Sequence, residues 1–142
     1  MRLIEYLTRI SENEDTGLET IRQIAHYQQL KTEPVEVQVT VKRHPKSLMK
    51  ACFLNAYNYV TTHVNCVYVL GYYLYMGIPI EHAWVKQGDN YIDVTLNDNK
   101  EGDRYFKCEE ITPETLREIN KLFKQKGPDF YLLHKFERVS KK

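Results

Sequence analysis

Cys52, His82 and Asp93 are the residues of this 142-residue chain whose types and spacing could do chemistry together. A thiol attacks as its anion, and the unpaired N–H groups at the start of a helix favour negative charge. Leu48, Cys52, Ala56 and Val60 recur every fourth residue on one stripe, with Ser47 placed to cap them. The thiol is therefore expected near the N-terminal end of a helix, facing inward. An inert core cysteine would occupy the same position.

An imidazole can take the proton of such a thiol if a carboxylate holds its ring. His82–Val85 and Tyr91–Leu96 read as strands joined through Lys86-Gln87-Gly88-Asp89-Asn90, a stretch rich in turn formers. With Gly88 and Asp89 at the tip, His82 faces Thr95 and Trp84 faces Asp93. His82 and Asp93 then become diagonal neighbours on one face, about 7–8 Å apart at Cα, a span their side chains can bridge. Ile92, Val94 and Leu96 fall on the other face and are expected in the core. A structural histidine beside a turn-side carboxylate would give the same pattern.

Other segments must position this hairpin and helix. Thr16-Gly17-Leu18-Glu19 has the form of a capping box and opens a helix over 17–30, with a short helix expected over Met1–Ile10. Residues 35–41 alternate Val-Glu-Val-Gln-Val-Thr-Val after Pro34, a strand with its valine face toward the core. Residues 65–80 are rich in β-branched and aromatic residues, with Gly71 a bulge or close-approach point and a turn at Gly77 and Pro79. Asn97–Asp103 reads as a polar loop. Thr112 caps a helix with Pro113 at its first position, a buried stripe of Leu116, Ile119, Leu122 and Phe123, and an end at Gly127-Pro128. Phe130–Phe136 is expected to return as a strand.

The length fits one domain, 1–142, with a helical N-terminal segment over 1–33 and a core over 45–96. Twenty Lys and Arg against 19 Asp and Glu give no global field to attract nucleic acid, and the short basic groups at Lys42-Arg43-His44 and Lys141-Lys142 read as solvated surface. Eleven tyrosines without interleaved basic residues suit core and rim better than base stacking. No apolar run reaches the roughly 20 residues of a membrane span, and Glu5 and Arg9 interrupt any secretion signal, so a cytoplasmic protein without membrane partners is expected. Three cysteines suit neither a disulfide scaffold nor a zinc site, and His63 with Cys66 has no companion ligands. No metal is expected. Cys66 and Cys108 read as core or surface thiols, unless one forms a reversible disulfide with Cys52.

Ala51-Cys52-Phe53-Leu54-Asn55-Ala56, Tyr68-Val69-Leu70-Gly71-Tyr72, Glu81-His82-Ala83-Trp84-Val85 and Tyr91-Ile92-Asp93-Val94-Thr95, in that order, resemble four blocks of the transglutaminase-like superfamily of papain-fold thiol enzymes. The resemblance is to a group of small bacterial and phage proteins and covers 45–96. It implies an α+β fold with a papain-like or transglutaminase-like core, in which a helix bearing the cysteine packs on an antiparallel sheet bearing histidine and aspartate. It further implies that Cys52 is the nucleophile, His82 the general base and then acid, and Asp93 the orienter, with the Cys52 N–H helping to hold an oxyanion. Asn55 is a supporting residue or a buried helix contact, and Trp84 walls the cleft or fills core. Leu70 stands where the group carries an acid, and Val94 where it carries a proline.

The expected activity is that of a hydrolase or acyl-transfer enzyme acting through a thioester on a protein, peptide or amide-containing small molecule, without cofactor. A carrier-thioester acyltransferase shares the triad order but needs a cofactor site for which the sequence has no motif. The alternative is a catalytically idle binding or inhibitory protein on the same scaffold.

Overall fold

The computed structural model describes residues 16–96 and 103–140, so the helix expected over Met1–Ile10 and residues 97–102 of the polar loop lie outside the described residues. The described elements are α1 (Thr16–Tyr27), β1 (Val35–Val37), β2 (Val39–Val41), α2 (Cys52–Thr62), β3 (Cys66–Tyr75), β4 (Ile78–Gln87), β5 (Asn90–Asp93), β6 (Arg104–Ile111), α3 (Pro113–Phe123) and α4 (Phe130–Ser140). The fold is α+β.

Six strands form one mixed sheet in the order β1-β6-β3-β4-β5-β2. The strand expected over 35–41 is divided at Gln38: β1 pairs antiparallel with β6, and β2 pairs parallel with β5. One residue therefore joins opposite edges. In a flat sheet those edges would stand roughly 24 Å apart at about 4.8 Å per strand, yet two peptide steps cover at most about 7.6 Å. The sheet must curl until its edges meet, and the parallel β2 makes it mixed where a purely antiparallel one was expected.

Curling gives the sheet two cores. The inner face packs Val69, Tyr73, Trp84 and Tyr105, with Val37, Val39 and Val41 against them, while Val35 stays half exposed. The outer face packs Tyr68, Leu70, Tyr72, Ala83, Val85 and Phe106 against the helices. α1 buries Ile21 and Ala25 and ends at Tyr27, and the left-handed φ of 58° at Gln29 turns the chain away two residues later. α3 begins where Thr112 accepts a hydrogen bond from the Thr115 N–H, with Pro113 in its first turn. It buries Leu116 and Ile119, but Leu122 faces solvent and leaves the expected stripe.

Two further expectations change, and one strand is added. The turn between β3 and β4 is Met76-Gly77, and Pro79 belongs to β4. Phe130–Phe136 is helical, because Phe130, Leu133 and Phe136 form one buried face and two acids cap the first turn: Glu81 accepts the Phe130 N–H at 2.6 Å and Asp129 the Leu132 N–H at 2.8 Å. The added strand is β6, whose residues show no strict alternation. Its register against β3 slips between Leu70 and Gly71, where the partner changes from Glu109 to Lys107 and passes over Cys108. That bulge breaks the period of two that would have announced the strand.

Candidate active site

α2 starts at Cys52 itself, later than the expected start after Ser47. Lys50 has a left-handed φ of 60°, and Ala51 is an N-cap without a side-chain cap hydrogen bond. The Ser47 hydroxyl donates instead to the Val94 carbonyl at 2.6 Å, and Leu48 is exposed rather than on the buried stripe. Cys52 thus occupies the first helical position, where the backbone N–H has no intrahelical acceptor.

Asn55 fixes this approach to the helix. Its carboxamide accepts from the Leu48 N–H at 2.9 Å and donates to the Leu48 carbonyl at 2.7 Å and the Thr95 hydroxyl at 3.0 Å. The side chain is buried, so these bonds clamp the 48–51 turn to α2 and tie both to the segment after Asp93. Asn55 positions the head of the helix.

β4 and β5 pair as Val85 with Ile92, Lys86 with Tyr91 and Gln87 with Asn90, the register expected for a Gly88-Asp89 tip. β5 ends at Asp93, leaving the first part of β4 without that neighbour. The chain bends there so that Val94 enters the outer core while Leu96 packs against the inner one, a change of side from the face expected for it. Asp93 Oδ1 causes the bend, accepting the N–H groups of Thr95 at 2.9 Å and Leu96 at 3.2 Å.

His82 Nε2 lies 2.7 Å from Asp93 Oδ2, and the Cys52 thiol lies beside the same imidazole, close enough to raise its pKa. Since Nε2 faces the carboxylate, Nδ1 is the ring nitrogen left for the thiol. Asp93, His82 and Cys52 are 0%, 6% and 9% exposed, so all three lie below the surface, the carboxylate deepest. Burial alone would depress the His82 pKa, but the bond to Asp93 and the neighbouring Cys52 outweigh it and raise it to about 9. Burial opposes the charge on Asp93 as well, yet its bonds to His82, Thr95 and Tyr105 hold the carboxyl below its ordinary range. This arrangement keeps a proton on the imidazole and a charge on the carboxylate at neutral pH.

Trp84 is fully buried and stacks beside His82, with ring centroids 6.2 Å apart. It forms the back wall of the imidazole site and belongs to the inner core. Tyr105, which the sequence reading did not single out, donates its hydroxyl to Asp93 Oδ2 at 2.8 Å. Tyr73 packs 5.5 Å from the His82 ring and donates to Asp103. Neither tyrosine carried a local signal: Tyr105 reaches Asp93 across the curl of the sheet, while Tyr73 is a diagonal neighbour of His82 on the adjacent β3.

All three cysteines are buried and unpaired. Burial pushes the Cys66 thiol up, and the Cys108 thiol rises to about 12 through burial reinforced by nearby glutamates. Among the described residues, no group of three or more His, Cys, Asp or Glu could hold a metal ion, and no helix is long and apolar enough to cross a membrane. His63 stacks on Tyr59 at 3.8 Å, and its Nδ1 meets the Tyr59 carbonyl. Two surface grooves, of about 480 and 630 Å³, flank the C-terminal half of α2, and neither is lined by Cys52, His82 or Asp93. No family model matches the chain, and neither does any curated protein or solved structure.

Proposed function

We propose that this chain is a thiol hydrolase or acyl-transfer enzyme of transglutaminase-like or papain-like type, acting in the cytoplasm on a protein, peptide or amide-containing small molecule. The observation that carries the reading is His82 bonded to buried Asp93, with Cys52 at the head of α2 beside the same imidazole. In the proposed reaction the Cys52 thiolate adds to an amide or related acyl carbonyl, and the Cys52 N–H donates to the oxyanion. His82 then gives its proton to the leaving amine as the thioester forms. Water or a second amine adds to the thioester, His82 accepts the proton of that nucleophile, and the thiolate leaves. Asp93 stays ionised throughout and holds the imidazole. Three unpaired thiols suit a reducing compartment.

The test is alkylation by iodoacetamide across pH, with each cysteine followed by mass spectrometry in the wild type and in His82→Ala. Cys52 is expected to react at neutral pH ahead of Cys66 and Cys108 and to lose that lead without His82. A Cys52 as slow as the other two, or indifferent to His82, would sink the reading. In a substrate screen, Cys52→Ala must abolish turnover while keeping the fold.

The slight exposure of Cys52 and His82 favours a second reading, a binding or inhibitory protein that retains the scaffold. It requires Cys52→Ala to keep both partner binding and biological effect.

A further inference from the structure

We propose that Tyr105 is a positioning residue that acts on Cys52 and His82 through Asp93: its hydroxyl shares Asp93 Oδ2 with the imidazole and so limits how tightly the carboxylate holds it. The proposal rests on the thiol-enzyme reading above.

Each carboxylate oxygen offers about two acceptor sites. Asp93 Oδ1 spends both on the N–H groups of Thr95 and Leu96, fixed by the bend after β5. Oδ2 spends both on side chains, His82 Nε2 at 2.7 Å and Tyr105 Oη at 2.8 Å. With Asp93 fully buried, Tyr105 is the side chain that competes with His82 for the charge on that oxygen.

The fold holds Tyr105 in this role. It lies on β6 between Val37 of β1 and Tyr73 of β3, so its side chain projects into the curl. Its ring meets Trp84 edge-on at 5.2 Å and tilts against Tyr73 at 4.9 Å. Burial and the charge of Asp93 keep its phenol protonated, hence a donor. The titratable groups facing the pair are Cys52 from α2, Tyr73 from β3, and Tyr105 and Asp103 from β6 and the residue before it. Tyr73 serves as an internal control: it packs on the His82 ring as Tyr105 does, but its hydroxyl donates to Asp103.

Two donors on one oxygen weaken each other's hold. Without the Tyr105 hydroxyl, Oδ2 would face His82 alone, and the imidazolium would keep its proton to higher pH. A proton held more tightly is delivered less readily to a leaving amine. Tyr105 thereby keeps His82 usable as both acid and base.

The experiment follows the His82 ring nitrogens by NMR across pH in the wild type, Tyr105→Phe and Tyr73→Phe, with Cys52 alkylation by iodoacetamide measured on the same samples. Tyr105→Phe is expected to move the His82 titration upward by about one unit, the scale of losing one charge-assisted hydrogen bond, and to carry the alkylation profile with it. Tyr73→Phe is expected to leave both unchanged. A Tyr105→Phe protein titrating like the wild type, or equal shifts in both variants, overturns the proposal. If Tyr105→Phe does not fold, the wild type decides: a slowly exchanging Tyr105 hydroxyl proton close to the His82 Nε2 proton is expected, and its absence overturns the assignment. Indifference of Cys52 to His82 defeats the enzyme reading without moving the His82 titration, so the two failures are distinguishable.

Discussion

Gly71 faces Trp84 so closely that a Cβ on Gly71 would lie 2.8 Å from Trp84 Cη2, and only 2.1 Å from the Phe106 carbonyl oxygen. The bulge in β6 brings that backbone in, and the missing side chain is what lets the indole back the imidazole. Gly71→Ala is expected to destabilise the protein by about 1–3 kcal/mol or more, since neither a strand backbone nor a packed indole can yield cheaply. Thermal melts and the rate of Cys52 alkylation should both fall; an unchanged melting temperature would contradict this packing.

The pair formed by His82 and Asp93 gives stability a pH window. His82 titrates at about 9 in the fold against an ordinary 6.5, so its contribution is complete below 6.5 and is lost as pH rises through 9. Asp93 lies below its ordinary 3.8, so its contribution is present above that value and disappears as pH falls through the lowered one. The melting temperature is expected to decline from pH 6.5 to 9, and Asp93→Asn should lower it at pH 6 while flattening that decline. Melts that do not change between pH 6 and 9 would show that the pair adds no stability.

Asn55→Ala removes three hydrogen bonds from a buried position and leaves the Leu48 N–H and C=O without the carboxamide. A loss of about 1–3 kcal/mol is expected from the three hydrogen bonds, of which the one to Thr95 is buried. Hydrogen exchange should rise first around Leu48–Cys52. Uniform loosening of the whole chain would argue against a local clamp.

Glu81 accepts the first N–H of α4 from the strand that carries His82. Burial raises its carboxyl, the bond from Phe130 lowers it, and Asp129 raises it again, leaving it above the ordinary value. Glu81→Ala should cost about 1 kcal/mol through the lost cap, and Glu81→Gln, which keeps an acceptor oxygen, should cost less. Equal losses in urea melts would assign the effect to packing.

The register of the hairpin was legible because turn formers mark its tip and the side-chain period is two; those facts alone put His82 and Asp93 on one face. The cap at Thr112 and the close approach at Gly71 were legible for the same reason, each being written in a residue and its immediate neighbours. Where tertiary context intervened, the local pattern misled. The 35–41 alternation continues through Gln38, while the chain changes from one sheet edge to the other at that residue. Phe130–Phe136 has strand-like composition, yet two capping acids and a three-residue apolar spacing make it helical.

By itself the sequence determined which thiol, imidazole and carboxylate could act together and that a β-hairpin would present two of them. Only the tertiary structure decided that Cys52 opens its helix, that β6 slips at Cys108, and that Tyr105 reaches Asp93 across a sheet curled onto itself. The physical reason is one of range. Periodicity and turn chemistry act over a few residues, whereas the edges joined at Gln38 and the donors gathered on Asp93 depend on strands far apart in the chain and adjacent only once the sheet has closed.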